Sequence, residues 1–579
     1  MRPSLLKSSI AVVAGLVLVL GVAACGSDSG GGGKTGGTLQ VLTTAGGVDS
    51  LDPGYWYYQE DYAELFGTTQ RALYGWKPAE SKPTPDVAEA LPKTSNGGKT
   101  VTVKIKSGIK YSPPLQTRTV KSADVKYAIE RCFLPQVGNG YAPVYYGDIE
   151  GVKAYQDKKA DDISGLQTPD DQTLVINTTK PAQVLTSGGA LGMPCTVPIP
   201  KDYAQKYDKG KQSTYGDHQV FTGPYMMTND GKGNITGYKP GQKLTLVRNP
   251  SWDKSTDFRP ANFDRVEVKG GFDSTVAARK TLSGQNLLSG DYAAPPTPVL
   301  KQALASNKDQ ITVESSGGLR YISLNTKVKP LDNVNVRRAI SAVIDRTVLR
   351  QTRGGPTLGT VATHFLPPGV SGFEEAGGTK GPGFDFASSP TANVALAKSY
   401  MKKAGYASGK YTGGPILTIA DNEQPANKAA EAFQSQVAKI GLKLNLRSLP
   451  HATANSKFCL VPKAAAAICP NLGWGADFFS AQSFIDPLFN GKNIVPTGNV
   501  NSAQVDDPKL NAKIDKAKQI TDPAASAKAW GDLDKEVTNQ SYFIAWLWDN
   551  NVGLESNNMK GVSNKFNSGA WDWSFSALK

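Results

Sequence analysis

Histidine is scarce in this sequence, and the local signatures of several common enzyme classes are missing. The 579 residues include three histidines, at positions 218, 364 and 451. There is no Gly-x-Ser-x-Gly nucleophile elbow, no His-Glu-x-x-His helix and no P-loop. Histidine-assisted hydrolysis therefore has little support. A glycosidase built on two carboxylates stays open, because Asp and Glu are plentiful and their pairing is invisible in sequence.

The sequence also lacks a long apolar run, and its one extended apolar stretch is short and lies at the N-terminus. The stretch from Ile10 to Val22 follows the positive residues Arg2 and Lys7. It is shorter than the roughly 20 residues that a comfortable membrane span needs. No second candidate span follows it. We therefore expect a protein that is exported across a membrane rather than threaded through it.

The end of this apolar stretch indicates how the protein is attached to a membrane. Residues 22–25 read Val-Ala-Ala-Cys, which resembles the bacterial lipobox, where the cysteine (here Cys25) is lipidated and becomes the mature N-terminus. The alternative is a plain secretory signal cleaved at an Ala-x-Ala-like site. We expect a lipoprotein signal peptide at 1–24 and a flexible tether at 25–37. The expected location is the outer face of the cytoplasmic membrane, which is periplasmic if the organism has an outer membrane.

The remaining four cysteines agree with export, because an even number suits an oxidising compartment. Three pairings are open. We favour Cys132 with Cys195 and Cys459 with Cys469, because each pair would then stay within one likely lobe of the folded chain. A metal site fails on spacing: there is no Cys-x-x-Cys, and the histidines are far apart. No metal is expected.

The charge is basic but dispersed. The formal net charge is +14, and removing Arg2 and Lys7 with the signal leaves 14 − 2 = +12. The lysines and arginines form no stripe and accompany no nucleic-acid-binding motif. We expect a solvated basic surface and no nucleic-acid partner.

One segment, residues 472–478, combines features of a ligand site. It places the carboxylate of Asp477 near the indole of Trp474, and Gly473 and Gly475 let backbone approach a guest closely. An acid beside an aromatic wall suits a cationic or amphipathic ligand. The alternative is a strand end whose Asp caps the next turn.

A second aromatic group lies near the N-terminus, where four aromatic residues are adjacent at 55–58. Trp56 and Tyr57 in this loop are either plugs of the core or part of a ligand wall. The sequence favours neither alternative.

Apolar periodicity predicts a mixed α/β fold. Residues 92–112 alternate around a glycine-rich turn, which predicts a hairpin. A helix with Ser122 at its cap places Cys132 on its buried face. Residues 416–419, a helix from about Asn427 to Ile440 and alternating leucines after it form a βαβ unit with parallel strands.

The order of the motifs resembles family 5 of the extracellular solute-binding proteins, the peptide- and oligopeptide-binding receptors of ABC importers. The matching motifs span nearly the whole mature chain. They are the lipobox, Gly98-Lys99-Thr100-Val101-Thr102-Val103-Lys104, Ser122-Ala123-Asp124-Val125, Thr222-Gly223-Pro224-Tyr225, Arg248-Asn249-Pro250, Asn325, Asn335-Val336-Arg337-Arg338-Ala339-Ile340, Ile344-Asp345-Arg346 and Gly473-Trp474-Gly475-Ala476-Asp477.

The resemblance implies an α/β, two-lobed clamp like the periplasmic binding proteins (class II, large peptide-binding type), with an additional subdomain on the N-terminal lobe. The expected division is lobe I at 38–82, its subdomain at 83–215, lobe I again at 216–317, lobe II at 318–540, and a return to lobe I at 541–579.

The resemblance also implies a function and a site. The expected function is capture of short peptides and their delivery to ABC permease subunits by lobe closure, without catalysis or a cofactor, by a monomer. In peptide receptors of this family, the Asp of the Gly-Trp-x-Ala-Asp motif pairs with the ligand's α-ammonium and the Trp lines a side-chain pocket. By position these are Asp477 and Trp474, beside Gly475.

The chain departs from the family pattern just after this motif. The family often continues with Tyr and then an acid and proline, whereas residues 478–481 here read Phe-Phe-Ser-Ala and Asp486-Pro487 comes later. The ligand's length and the polarity of its pocket therefore stay open. Oligosaccharides are the alternative ligand, because Trp56, Tyr57 and Trp474 could stack on sugar rings.

Overall fold

A computed structural model describes residues 33–44, 48, 50–56, 61–290, 294–422, 424–496, 498–565 and 571–579. Cys25, the signal peptide, most of the tether and Tyr57 lie outside the described residues. Two mixed six-stranded sheets form the centres of two lobes, and a four-stranded antiparallel sheet forms a subdomain.

The first lobe is built on a mixed sheet whose inner face alternates with period two. In its opening strand, Leu39 and Val41 are fully buried while Thr38 and Gln40 are half-buried, as expected for side chains that point to opposite faces of a strand. This strand runs parallel to both of its neighbours. The strands are Thr38–Leu42, Tyr225–Met227, Tyr238–Lys239, Lys243–Arg248, Arg265–Lys269 and Leu287–Ser289.

The subdomain contains the predicted hairpin and the predicted helix. Strands Lys93–Ser95 and Thr100–Lys104 pair across a turn in which Gly97 and Gly98 have positive φ. Helix Ser122–Cys132 buries its cysteine, which is disulfide-bonded to Cys195. The other two strands of this sheet are Leu166–Asp170 and Thr173–Asn177.

The second lobe contains the predicted βαβ unit. Strands Ile416–Asp421 and Leu444–Leu449 are parallel, and helix Ala426–Val437 connects them before a 3-10 turn that ends at Ile440. The other strands of this sheet are Ile311–Leu324, Gly359–Thr360, Ile468–Trp474 and Phe543–Leu554.

Helices pack against strands of both six-stranded sheets. Those of eight or more residues, besides the two named above, are Ser274–Ser283, Thr297–Ser306, Val334–Val343, Arg346–Arg353, Val394–Lys403, Gln482–Phe489, Pro508–Ala517 and Pro523–Gln540.

Two long antiparallel strands, Ile311–Leu324 and Phe543–Leu554, connect the lobes, and we call them the crossing strands. Their register breaks between Ser315 and Leu319. On one side of this break Leu554 packs in the first lobe, and on the other side the strands belong to the core of the second. The chain beyond them returns to the first lobe, where Trp571 and Trp573 are buried. The boundaries at 318 and 541 stay predictions, although residues 543–548 still pair within the second sheet.

Candidate functional site

The segment that carries Asp477 begins where a central strand of the second lobe ends. Strand Ile468–Trp474 pairs antiparallel with a crossing strand, so that Trp474 lies opposite Leu319 and Gly473 opposite Arg320. The disulfide between Cys459 and Cys469 ties the start of this strand to the preceding turn. Both disulfides are therefore the pairs that we favoured from the sequence.

Asp477 lies at the contact between the second lobe and the subdomain. Its carboxylate accepts hydrogen bonds from the hydroxyl groups of Tyr145 and Tyr141, which belong to the subdomain. Burial raises the pKa of this carboxyl group to about 7, and the two tyrosine hydrogen bonds oppose the rise. No Lys, Arg or His nitrogen of a described residue lies within 4 Å of it. Within the part of the chain that the structure describes, the site therefore presents a partly buried carboxylate with no cationic partner.

The next residue, Phe478, crosses into the subdomain. Its side chain is 2% exposed and packs among the subdomain's core residues. The ring meets Tyr145 edge-on, with 4.9 Å between ring centroids. It also lies against Gly189, where a Cβ would approach the ring to 2.9 Å. The two residues after the Gly-Trp-Gly-Ala turn thus both contact the other lobe.

A polar contact lies near this aromatic one. The backbone nitrogen of Gln183 in the subdomain donates to the carbonyl of Lys518 in the second lobe at 3.1 Å. The ammonium group of Lys518 forms an ion pair with Asp486 at 3.0 Å. The lobes therefore meet through hydrogen bonds as well as through Phe478.

Trp474 is half-buried, and its indole is already oriented by the second lobe. Its Nε1 donates to the carbonyl of Ser483 at 2.8 Å, and its ring packs at the edge of that lobe's core. Gly475 is exposed. At Gly318, a Cβ would lie 2.8 Å from the Trp474 carbonyl oxygen and 3.4 Å from the Gly475 Cα. The crossing strand thus packs directly against the Trp-Gly backbone.

Trp56 does not join this site. Its side chain is fully buried in the first lobe, where it packs against Phe66, and its Nε1 donates to the carbonyl of Ser50 at 2.9 Å. The structure therefore corrects its assignment as a ligand residue and supports the alternative of a core plug. Tyr57 lies outside the described residues.

Arg320 lies beside the Gly-Trp turn. Its Nε donates to Asp549 at 2.5 Å, and its guanidinium lies against Gly473, where a Cβ would approach Nη1 to 2.5 Å. Arg353 faces the same carboxylate at 3.7 Å. The sequence analysis did not identify Asp549, Arg353, Tyr141 or Tyr145 as neighbours of the site.

The described residues give no sign of a metal centre or of a membrane span. Among them, no three His, Cys, Asp or Glu side chains are grouped so that they could hold a metal ion. In the same ranges, every helix is too short or too polar to cross a membrane.

The chain is similar to known proteins along most of its length. Residues 82–496 match the family model described as bacterial extracellular solute-binding proteins, family 5 Middle. The oligopeptide-binding protein OppA of Bacillus subtilis (strain 168) is 26% identical over 503 residues, which cover 84% of this chain and 83% of OppA. Heme-binding protein A of Haemophilus influenzae is 24% identical over 489 residues, which cover 83% and 82% of the two chains. The solved structure of clavulanic acid biosynthesis oligopeptide binding protein 2 has a TM-score of 0.80 at 26% identity, and the match covers 94% of this chain and 96% of that one.

Proposed function

Because the chain belongs to the bacterial extracellular solute-binding proteins of family 5, whose members are binding receptors rather than enzymes, we propose that it captures short peptides. In this proposal Asp477 pairs with the α-ammonium group of the peptide. The lobes close over the peptide, and ABC permease subunits recognise the closed form.

The observation that carries the proposal is the carboxylate of Asp477, which lies between the lobes and has no cationic partner among the described residues. A carboxylate taken out of water gains more from an ammonium partner than an exposed one does. The tyrosine hydroxyls at 141 and 145 satisfy it only as neutral donors. A ligand ammonium would supply the missing charge, and it would do so only when the lobes meet.

Trp474 and Gly475 would form the wall and the floor beside this anchor. The indole is fixed by its bond to Ser483, so its ring would offer a rigid apolar surface to a side chain. The exposed backbone at Gly475 leaves peptide groups within reach of a ligand. Such a site would bind by shape and a few polar groups.

The N-terminal segment completes the proposal. We infer that residues 1–24 are removed and that Cys25 is lipidated, which would keep the receptor near its permease. The support is the lipobox-like sequence and the Gly/Ser-rich tether. Cells grown with a labelled fatty acid should incorporate the label into the wild-type protein and not into Cys25→Ala, and an unlabelled wild-type protein would contradict the anchor.

The ligand test uses the soluble chain from Gly26, which lacks the signal peptide and Cys25, and two pools of mixed-sequence peptides of two to five residues. One pool has free termini, and the other has acetylated N-termini. We expect retention of the free pool in equilibrium dialysis, and binding 10- to 100-fold weaker for Asp477→Asn, as for the loss of one charged hydrogen bond of about 1.5–3 kcal/mol.

The matched control is Asp161→Asn, because Asp161 is exposed on the subdomain and its change should leave binding unaltered. Equal retention of free and acetylated pools would contradict the ammonium role of Asp477. Retention of neither pool would contradict peptide capture and would favour oligosaccharides or another solute.

A further inference from the structure

A small polar cavity lies inside the second lobe and shares no residue with the proposed ligand site. Its volume is about 10 Å³, which is room for one water molecule or one small ion. Its walls include parts of helices Val334–Val343 and Pro523–Gln540 and of the crossing strand Phe543–Leu554. The polar side chains that line it are Ser341, Arg346, Thr363, His364, Thr538 and Ser541.

The guanidinium group of Arg346 carries an uncompensated charge in these walls. Arg346 is 2% exposed, and its nitrogen atoms donate to the carbonyl oxygens of Ser341, Ser389 and Ala545 and to the hydroxyl group of Ser341. All of these acceptors are neutral. Burial lowers the pKa of Arg346 to about 10, and the charge of Asp345 opposes this fall only in part. A buried cation without a close counter-charge is costly, and an added anion would reduce that cost.

The nearby carboxylate of Asp534 does not supply the missing charge, because it is paired with His364. Nε2 of His364 lies 2.9 Å from the carbonyl oxygen of Gly378, which can only accept, so this nitrogen donates. Nδ1 lies 2.6 Å from an oxygen of Asp534, and a contact of that length holds a proton between the two atoms. The imidazole and the carboxyl group are therefore neutral as a pair, which leaves the charge of Arg346 in excess.

A hydroxyl group without a partner lines the same cavity. The buried Oγ1 of Thr363 has no hydrogen-bond partner among the described residues. The other hydroxyl groups in the walls, those of Ser341, Thr538 and Ser541, donate to other groups of the protein. A buried hydroxyl group that bonds to nothing is also costly. Thr363 therefore offers a donor to a ligand in the cavity.

From these observations we infer that the cavity binds one small monovalent anion of the halide class, held by the guanidinium group of Arg346 and the hydroxyl group of Thr363. A single negative charge would balance the excess positive charge, and the volume excludes larger anions. The ion would also stabilise the contact of Arg346 with the crossing strand, because Nε of this residue donates to the carbonyl of Ala545. The inference does not rest on the proposed function.

Thermal unfolding of the soluble chain from Gly26 tests the inference. The protein is first dialysed into sodium gluconate, whose anion is too large for the cavity. Chloride then replaces gluconate up to about 0.2 M at constant ionic strength, so that screening does not change. We expect the midpoint to rise by about 2–4 °C, as for a ligand that binds only the folded state and is well above its dissociation constant. Equal midpoints in chloride and gluconate would overturn the inference.

Thr363→Val removes the hydroxyl group at nearly constant volume and should reduce the chloride-dependent rise by about half. The matched control is Thr352→Val, because Thr352 is also half-buried but donates its hydroxyl group to the carbonyl of Leu349. The control should keep the wild-type rise. An undiminished rise in Thr363→Val would overturn the assignment of this residue.

Crystals of the wild-type chain grown in sodium bromide decide between an ion and a water molecule, because bromide gives an anomalous signal and water gives none. We expect a bromide peak within hydrogen-bond distance of Arg346 and Thr363. A water molecule in the cavity, with bromide only at the surface, would overturn the inference. This measurement needs no variant, so a variant that fails to fold leaves it decisive. Peptide retention in gluconate tests the proposed function separately, and the two can fail independently.

Discussion

At the scale of single residues, the proposed role of Asp477 should make peptide binding sensitive to pH. Burial raises the pKa of its carboxyl group to about 7, so the protonated acid is favoured below that pH. An ammonium ligand requires the carboxylate, and binding must therefore release a proton below pH 7. Peptide termini titrate outside the range from pH 5 to 7. Within that range, Asp477 is the group that we expect to govern affinity.

Lowering the pH from 7 to 5 should weaken the binding of free-termini peptides by up to about 50-fold, because the ionised fraction of a group with pKa 7 falls from one half to about one hundredth. Isothermal titration calorimetry at several pH values, in buffers of different ionisation enthalpy, measures both the affinity and the proton release. Asp477→Asn should show neither effect. A flat wild-type profile would contradict the role of this carboxylate.

Tyr145 should set the position of that profile. Its hydroxyl donates to Asp477 and lowers the pKa of the carboxyl group, so Tyr145→Phe should move the midpoint to higher pH. The matched control is Tyr146→Phe, because Tyr146 is a buried neighbour whose hydroxyl donates to the carbonyl of Ala190 instead. The same calorimetric series tests both variants. A midpoint that stays in place or moves down in Tyr145→Phe would show that the hydrogen bond does not act on the binding carboxylate.

Part of the site could be predicted at this scale. Asp477 and Trp474 belong to a local motif, and local motifs are visible in sequence. Tyr145 lies 332 residues from its carboxylate partner, and no pattern in the chain links the two. Trp56 was ambiguous because an aromatic residue in a loop can plug a core or face a ligand, and only its complete burial distinguishes these alternatives.

At the scale of elements, the predictable parts are those that depend on neighbouring residues. The hairpin, the helix at Ser122 and the βαβ unit follow from turn chemistry and periodicity. The crossing strands do not. The sequence predicted a strand at 319–325, but the strand begins at Ile311 and passes through two serines and two glycines. Its partner Phe543–Leu554 pairs with the residues on both sides of this stretch, and the register breaks between Ser315 and Leu319. Serine and glycine are weak strand formers, so their own sequence does not predict a strand here.

The segment after Trp474 should act as a contact that favours lobe closure. Phe478 is buried in the subdomain's core, and truncation of a buried Phe costs about 3–5 kcal/mol. Phe478→Ala should therefore open the clamp when no peptide is added, and small-angle X-ray scattering should report a larger radius of gyration. Saturating peptide should restore part of the closure.

Phe272→Ala is the control for this experiment, because Phe272 packs at the edge of the first lobe, away from the lobe contact. It should leave the radius of gyration unchanged. An unchanged radius in Phe478→Ala as well would mean that this ring does not hold the lobes together.

At the scale of the whole molecule, the arrangement of the two lobes explains why we expect the proposed site to respond to lobe closure. The crossing strands join the lobes, and Asp477, Phe478 and Lys518 contact the subdomain from the second lobe. The carboxylate is therefore shielded from water by residues of both lobes. The family resemblance predicted this two-lobed clamp, whereas the contacts between the lobes required the structure.

The most direct test of peptide capture is native mass spectrometry of the soluble chain from Gly26, which lacks the signal peptide and Cys25, followed by denaturing release of what it carries. We predict a series of masses that fit short peptides with free amino termini, and a marked loss of that series in Asp477→Asn. Released masses spaced by hexose units, or peptides carried equally by wild type and Asp477→Asn, would contradict the account.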